Sequence, residues 1–486
     1  MAEPSLKNKA VNGVGWSAAD AILGQGITFL VGIVLARLLS PTEYGLIGII
    51  SIFIVVLNGV VDSGFSNAII RKQDTTNDDY NTMFFTNLVF SILLYLGLYF
   101  SAPAIATFFD REELVALTRA MGVVLIINAL SITQVTILTK NVDFRTKTKA
   151  SLTSAIISGL AGIILAYCGY GVWSLVTQQI AKQLLYTLCL WGLNKWTPAL
   201  KFSTRSFKYM WGFGWKLLLS GLLNNIWNQL YQVVVGKFYS PATLGQYSRS
   251  KEYANILSAN FTAIIQRVSY PVLAELQDNH EKMVSGYRKI IKLTMFVAAI
   301  SMIFMGAVAE PLIYCLIGPK WHEAATYLPL ICITMSLYPL HAINLNMLQV
   351  QGRSDLFLIL EIIKKIIAIG PICLGIFVNI KWMLIGSIIT GIMSFFLNSY
   401  YTGKKLHYTS WMQLRDIVPS YAIALFVALS VYFIKLLPVS FFIILPIQIV
   451  VGIGVGVIIC EIGKVSEFYE LKQIIIGKIN DYKKHK

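Results

Sequence analysis

The chain has 486 residues, of which 56% are hydrophobic and 13% charged, with 40 Lys and Arg against 24 Asp and Glu. Soluble domains run at roughly 45–50% apolar and about 25% charged, so no water-facing fold of this length could hide so much apolar surface. Apolar blocks of the ~20 residues needed to cross ~30 Å of hydrocarbon recur along it, which defines an all-α integral membrane protein.

The chain opens on a short basic lead, "MAEPSLKNKA". The apolar stretch that follows is too long for a signal-peptide core and lacks an A-x-A end, so no cleavable signal is expected. Spans one to six are expected at 14–36, 44–67, 81–103, 114–138, 150–168 and 171–193. Spans seven to twelve are expected at 210–235, 246–270, 288–309, 325–348, 356–378 and 380–401. Two more follow at 416–436 and 441–461, about fourteen in all, and the chain closes on "DYKKHK". With the amino terminus inside, about 25 Lys and Arg fall in inside segments and about 6 outside. That asymmetry places both termini in the cytoplasm and accounts for the basicity without nucleic acid. The six cysteines are scattered with no CxxC pair, and read as small core residues rather than a metal site or disulfide framework. No phosphate loop of the G-x-x-x-x-G-K-[ST] form is present, so ATP hydrolysis is excluded. The connections between spans are too short to house a glycosyl-transfer site.

Halfway along, the pattern restarts. Gly15-Trp16 recurs as Gly214-Trp215, "LLSPTEYG" (38–45) as "FYSPATLG" (238–245), "VDFR" (142–145) as "VQGR" (350–353), and "GVWSLV" (171–176) as "IKWMLI" (380–385). In the second landmark, Ser40 can cap a helix, Pro41 suits its first turn, and Glu43 is placed to close a capping box. The expected organisation is an amino-terminal lobe (1–200, helices one to six) and a carboxy-terminal lobe (201–405, helices seven to twelve). Helices thirteen and fourteen and a basic cytoplasmic tail complete it (406–486). Six spans per repeat insert both halves the same way, giving two pseudo-symmetric lobes around a central cleft.

The polar residues inside the spans mark that cleft. On helix seven, Lys216, Ser220, Asn224 and Asn228 recur every four residues, and Asn225, Gln229 and Gln232 broaden the stripe. Helix eight carries Lys251, Asn255, Ser258, Thr262 and Gln266, with Arg249, Glu252 and Arg267 near its ends. Their counterparts in the first repeat are Asp20 and Gln25, then Asn58, Asp62 and Ser66. A Lys, Arg or Asp at the bilayer centre costs ~2.5–3.5 kcal/mol, so such groups face a bundle interior or a hydrated cavity. Any one amide can equally be interhelical glue; two adjacent helices with continuous stripes and several cations favour a hydrated cavity. Cations suit phosphate, amides and hydroxyls suit sugars, and Trp215, Trp227, Tyr231, Tyr247 and Tyr253 could stack on sugar faces or simply pack at the interface. Arg119 and Lys182 read as snorkelling side chains, Glu361 with Lys364 or Lys365 as an internal ion pair, and His341 as a hydrogen-bonded packing residue.

The stretches "LARLLSPTEYGLIGI", "DSGFSNAIIRK", "SYPVLAELQDN" (269–279) and "GPKWHEAATYLPLI" (318–331) resemble the Wzx-type polysaccharide exporters of the multidrug/oligosaccharidyl-lipid/polysaccharide superfamily. The resemblance implies a flippase carrying undecaprenyl-pyrophosphate-linked oligosaccharide units across a bacterial inner membrane by alternating access. The lipid tail would stay in the bilayer while the head crosses a cationic cleft. Implied partners are the lipid-linked oligosaccharide, membrane lipid, and the glycan polymerase and glycosyltransferases of the same pathway. No cofactor is expected. Substrate-binding candidates are Lys216, Asn224, Asn228, Arg249, Lys251, Asn255 and Arg267. Asp20, Asp62 and Glu252 are the carboxylates for proton or sodium coupling, a salt bridge to a cavity cation being the equal alternative. The rival readings are a cation-coupled multidrug exporter, which the cationic stripes disfavour, and a non-transporting scaffold of a glycan assembly complex, which would tolerate loss of the cavity charges.

Overall fold

The computed structural model describes residues 15–16, 19–62 and 64–484, and among these there is no strand. The helices, in chain order, are α1 (Asp20–Leu38), α2 (Pro41–Asp62), α3 (Phe65–Arg71), α4 (Asn77–Phe109), α5 (Leu114–Lys140), α6 (Phe144–Tyr167), α7 (Val172–Leu193), α8 (Thr204–Phe238) and α9 (Pro241–Glu275). They continue as α10 (His280–Ala307), α11 (Ala309–Ile317), α12 (His322–Ser336), α13 (Tyr338–Val350), α14 (Ser354–Ile367), α15 (Ile369–Phe377), α16 (Ile380–Leu406), α17 (Ser410–Tyr432), α18 (Phe441–Ile462) and α19 (Ser466–Lys484).

Every segment expected to span is mostly helical over its described residues, with breaks that include Gly64, Leu337 and Ala368, and 10 helical stretches are apolar and long enough to cross a membrane. The segments expected at 171–193, 210–235, 246–270 and 356–378 fall short of that apolarity. The reasons are local: α7 carries Lys182 among glutamines, α8 and α9 carry the polar stripes, and the last is broken into α14 and α15 around Ala368. Lipid as the solvent is written on the surface. Phe100, Phe377, Val450 and Ile462 are all at least 70% exposed, while Asn344, Ser399 and Thr402 are fully buried and hydrogen-bonded. In hydrocarbon the polar groups turn inward and the apolar ones outward, because unsatisfied polar atoms there are expensive.

The chain divides into two compact units, Met1–Gly245 and Gln246–Lys486. The repeat expected from sequence places α8 at the start of the second half, but α8 packs on α2, α3 and α4 and lies in the first unit. The rest of that unit is α1 on α6, α6 on α7, α4 on α5 and α5 on α7. In the second unit α10 packs on α12 and α17, and α16 on α12, α13 and α15. Its core holds Tyr287, Leu340, Met347 and Phe395. Through that core runs a polar seam: Tyr287 donates to Asn344, Thr402 donates to Asn344 at 3.0 Å, and Tyr408 donates to Asp416 at 2.7 Å. Arg288 closes it with two bonds to the Asp416 carboxylate. The final helix, α19, is tied to α10 through Lys289–Glu470 at 3.0 Å and Lys292–Glu467 at 3.7 Å.

The repeated turns fold as their residues dictate. Pro41 and Pro241 each open a helix. The Ser40 backbone donates to Glu43 at 2.6 Å and the Glu43 backbone to Ser40 Oγ at 3.4 Å, the reciprocal pair of a capping box. In the second copy the Thr243 backbone donates to Ser240 Oγ at 3.2 Å. The two copies also meet. A Cβ on Gly45 would fall 1.7 Å from the Pro241 carbonyl oxygen, and a Cβ on Gly245 1.9 Å from that of Pro41. The contact is reciprocal, glycine of each turn against proline backbone of the other, as an isologous joint requires.

The helix expected over 44–67 is interrupted between α2 and α3, where Gly64 adopts φ +70°. That left-handed conformation suits glycine. It also lets the chain pass within 3.0 Å of the Gly214 carbonyl, measured from the position a Cβ would take.

Candidate functional site

In the first unit, the stripe on α8 is exposed along its length: Lys216, Ser220, Asn224 and Asn228 all lie on the open side of the helix. The Lys216 ammonium sits 5.9 Å from the centre of the Trp215 ring. The neighbouring row turns inward. Asn225 packs against Gly59 of α2, its Nδ2 2.6 Å from where a Cβ would stand, so this amide serves helix contact. Gln229 has a buried Oε1 with no hydrogen-bond partner among the described residues.

Asn58, grouped with the stripes from sequence, instead accepts from Asn128 Nδ2 at 2.9 Å, while Asn128 Oδ1 accepts from Gln183 at 3.2 Å. This network ties α2, α5 and α7 together as interhelical glue. Asp62 ends α2 and accepts from Ser66 of α3 at 2.5 Å, and Ser66 accepts from Thr136 at 2.9 Å. Its geometry is that of a cap across the α2–α3 break. Asp20 opens a π-helical turn, Asp20–Gly24, a feature frequent at functional sites. Its Oδ1 is buried and has no hydrogen-bond partner among the described residues. Ser151 Oγ and Asp20 Oδ1 flank the same face of Gly24. Lys182 and Tyr186 of α7 both feel the Asp20 charge. Lys182 therefore does not snorkel from a helix end as the sequence suggested; it stands mid-helix, within electrostatic range of a carboxylate. The signal that could have found this is the pairing of one lysine and one aspartate inside otherwise apolar spans.

In the second unit, α9 is rotated from the face its sequence suggested. Arg249, Ser250 and Ser258 are buried, and Ser258 donates to the Met335 carbonyl of α12 at 3.1 Å. The exposed polar groups of α9 include Glu252, Asn255, Gln266 and Arg267. Lys251 is half-buried. Arg249 donates to Glu252 at 2.8 Å, an ion pair one turn apart. Glu252 is thus engaged as a counter-charge, the alternative role weighed for it from sequence.

The lesser candidates resolve simply. Arg119 lies 4.2 Å from the Tyr99 ring centre, Lys364 pairs with Glu361, and His341 meets Asn398 at 3.5 Å. In the "VQGR" turn, Arg353 grips Asp355 with two bonds, at 3.0 and 2.8 Å, and holds its carboxyl down at about 2. Among the described residues no group of three His, Cys, Asp or Glu could hold a metal.

A helical body with membrane-length apolar helices, and with polar and cationic faces on two 35-residue helices, defines a multi-pass membrane protein. Residues 34–326 match the family described as "Polysaccharide biosynthesis protein", and the chain belongs to that family. Among curated relatives it is 28% identical over 363 residues to the teichuronic acid biosynthesis protein TuaB of Bacillus subtilis, covering 73% of this chain and 74% of that one. It is 21% identical over 402 residues to the lipopolysaccharide biosynthesis protein WzxC of Escherichia coli, covering 81% of both. Its fold is shared with the lipid II flippase MurJ in an inward closed conformation. The TM-score is 0.71 at 15% identity, over 93% of this chain and 98% of that one. It is also shared with an inward-facing MATE-family multidrug transporter of the MOP superfamily, with a TM-score of 0.59 at 17% identity over 80% and 99%. The chain is thus a multi-pass helical membrane protein of the polysaccharide-biosynthesis family.

Proposed function

We propose that the chain flips undecaprenyl-pyrophosphate-linked oligosaccharide units from the inner to the outer leaflet by alternating access, with both termini in the cytoplasm. The carrying observation is that α8 and α9 each present exposed amides and cations within their own units: Lys216, Asn224 and Asn228 on one, Asn255 and Arg267 on the other. Ammonium and guanidinium groups bind phosphate, and amides match sugar hydroxyls. An exposed cationic row is poorly suited to cationic drugs, which argues against a multidrug role for this family member.

Moving one negative charge outward gains ~2.3 kcal/mol per 100 mV of inside-negative potential. A diphosphate with about two charges gains roughly 4–5 kcal/mol. For ion coupling we assign a proton or sodium ion to Asp20, since Asp62 caps a helix and Glu252 is paired with Arg249.

The test is flipping in reconstituted vesicles, read by a lectin specific for outer-leaflet sugar. Wild type should flip, and Lys216→Ala with Arg267→Ala should flip at least tenfold more slowly at equal insertion. Asp20→Asn should abolish any dependence on an imposed proton or sodium gradient. Absence of flipping by wild type with every tested lipid-linked glycan would refute the reading and favour the scaffold.

A further inference from the structure

Helices α6 and α7 pack on each other in the first unit, joined by the turn at 168–171. Between the start of α6 and the end of α7 lies a cavity of about 630 Å³, within the ~300–1,000 Å³ range of small-ligand sites. Ala150, Leu152, Cys189 and Leu193 wall it, and Lys149 and Thr153 supply the side-chain nitrogen and oxygen of its lining. A Cβ on Gly192, also in the lining, meets nothing within 4 Å, so the space before it is open.

The cavity continues as a track on the outside of both helices. On α6, Lys149, Thr153, Ile156 and Leu160 follow one another at helical spacing, and on α7 so do Gly192, Leu188 and Leu184; all are exposed. The order along α6 is polar first, then apolar. Helix α6 has 24 residues, about 36 Å against ~30 Å of hydrocarbon. Lys149, in its second turn, therefore stands at the boundary of headgroups and chains, while Ile156 and Leu160 lie among the chains.

Charge selects the occupant. Arg145, Lys147 and Lys149 fall in the first two turns of α6, Lys195 follows α7, and neither helix contains an Asp or Glu. The neighbouring carboxylate, Asp143, is engaged as the cap of α6, accepting from the Thr146 backbone at 3.1 Å and from its hydroxyl at 2.7 Å. A zwitterionic headgroup would bring a further cation to this cluster, whereas a phosphodiester without an ammonium brings the missing counter-charge. Ammonium and hydroxyl donors suit its oxygens, and basic pockets between membrane helices take anionic headgroups.

We propose that the α6–α7 groove is a binding site for an anionic phospholipid of the surrounding bilayer. Its phosphate meets Lys149 and Thr153, and an acyl chain follows Ile156, Leu160, Leu188 and Leu184. The polar row offered for transport stands on another helix, α8, which packs on α2, α3 and α4. The groove thus holds a resident lipid, and not the transported head. A polyprenyl phosphate is the competing source of the same chemistry.

The experiment uses the full chain in phosphatidylcholine nanodiscs containing a trace of phosphatidylglycerol with a diazirine in its acyl chain. Photolabelling should map to 149–160 and 184–193. Excess unlabelled phosphatidylglycerol should compete it away, and the same excess of phosphatidylcholine or polyprenyl phosphate should not. Lys149→Gln, at an exposed position, and Gly192→Leu, whose side chain enters the open space, should each cut labelling at least tenfold. Phosphatidylglycerol should raise the thermal midpoint of wild type. Both variants should lose that rise while keeping the wild-type midpoint in phosphatidylcholine alone, which separates loss of the site from loss of the fold. Equal competition by phosphatidylcholine, the mark of a groove that reads no charge, overturns the proposal. Stronger competition by polyprenyl phosphate gives the groove to the carrier lipid and overturns it as well. So does labelling elsewhere, or labelling unchanged in Lys149→Gln.

Discussion

Changing Glu252 to Gln deprives Arg249 of the carboxylate it grips at 2.8 Å, and the two side chains differ sharply in exposure, 9% for Arg249 and 51% for Glu252. The asymmetry fixes the expected costs. Removing one partner of a buried pair costs about 3–5 kcal/mol, whereas an exposed pair is worth ~0–1 kcal/mol. Glu252→Gln takes this carboxylate from the buried member, so it should cost about 2 kcal/mol, midway between those limits. Arg249→Met strands only the half-exposed carboxylate, which water can solvate, and should cost about 1 kcal/mol or less. In the double variant neither charge remains, and its stability should lie within ~0.5 kcal/mol of Arg249→Met. Thermal unfolding of the purified proteins in one nanodisc lipid gives the rank order directly. The reasoning is refuted if Arg249→Met is the more destabilised single variant, or if the double variant is no better than Glu252→Gln. The same proteins answer a functional question, because a double variant that flips normally removes Arg249 from the substrate path.

Gly64→Ala should destabilise the α2–α3 break by about 1–2 kcal/mol, the cost of a left-handed L-residue, and should lower the thermal midpoint. Asn128→Leu removes both its bond to Asn58 and its acceptor for Gln183. At ~0.6 kcal/mol for an average polar contact between membrane helices, the loss should be about 1 kcal/mol, and a midpoint unchanged in Asn128→Leu would contradict the glue assignment. Asp416→Asn takes the charge from the acceptor that Arg288 and Tyr408 share. It should raise protease sensitivity near α17 and, since Lys292 bridges Asp416 and Glu467, also at α19, as limited proteolysis with peptide mapping would show.

Helix existence was legible because lipid demands long apolar runs, and every expected span is mostly helix over its described residues. The capping box at Ser40 and Glu43 was legible too, since it depends only on residues three apart. Rotation was not. On α9 nearly every turn carries a polar group on more than one face, so spacing alone cannot tell Ser258, bonded to Met335, from Asn255, which is exposed. Breaks escaped for a related reason. Gly64 interrupts its helix without a proline, at its close passage by Gly214, a residue 150 positions away in sequence, whereas the break at Ala368 falls three residues before Pro371. Lys182 looked like a snorkelling residue because its relation to Asp20 exists only once α1 and α7 are set against α6.

The joint at Gly45 and Gly245 is made of main chain on main chain. Side chains at ordinary contacts absorb small displacements by changing rotamer, a reserve this joint lacks entirely. Peptide units in such contact have nothing to rearrange between them. A methyl group at either glycine would therefore meet a carbonyl oxygen that has no rotamer to turn to, and each turn admits glycine alone at that point.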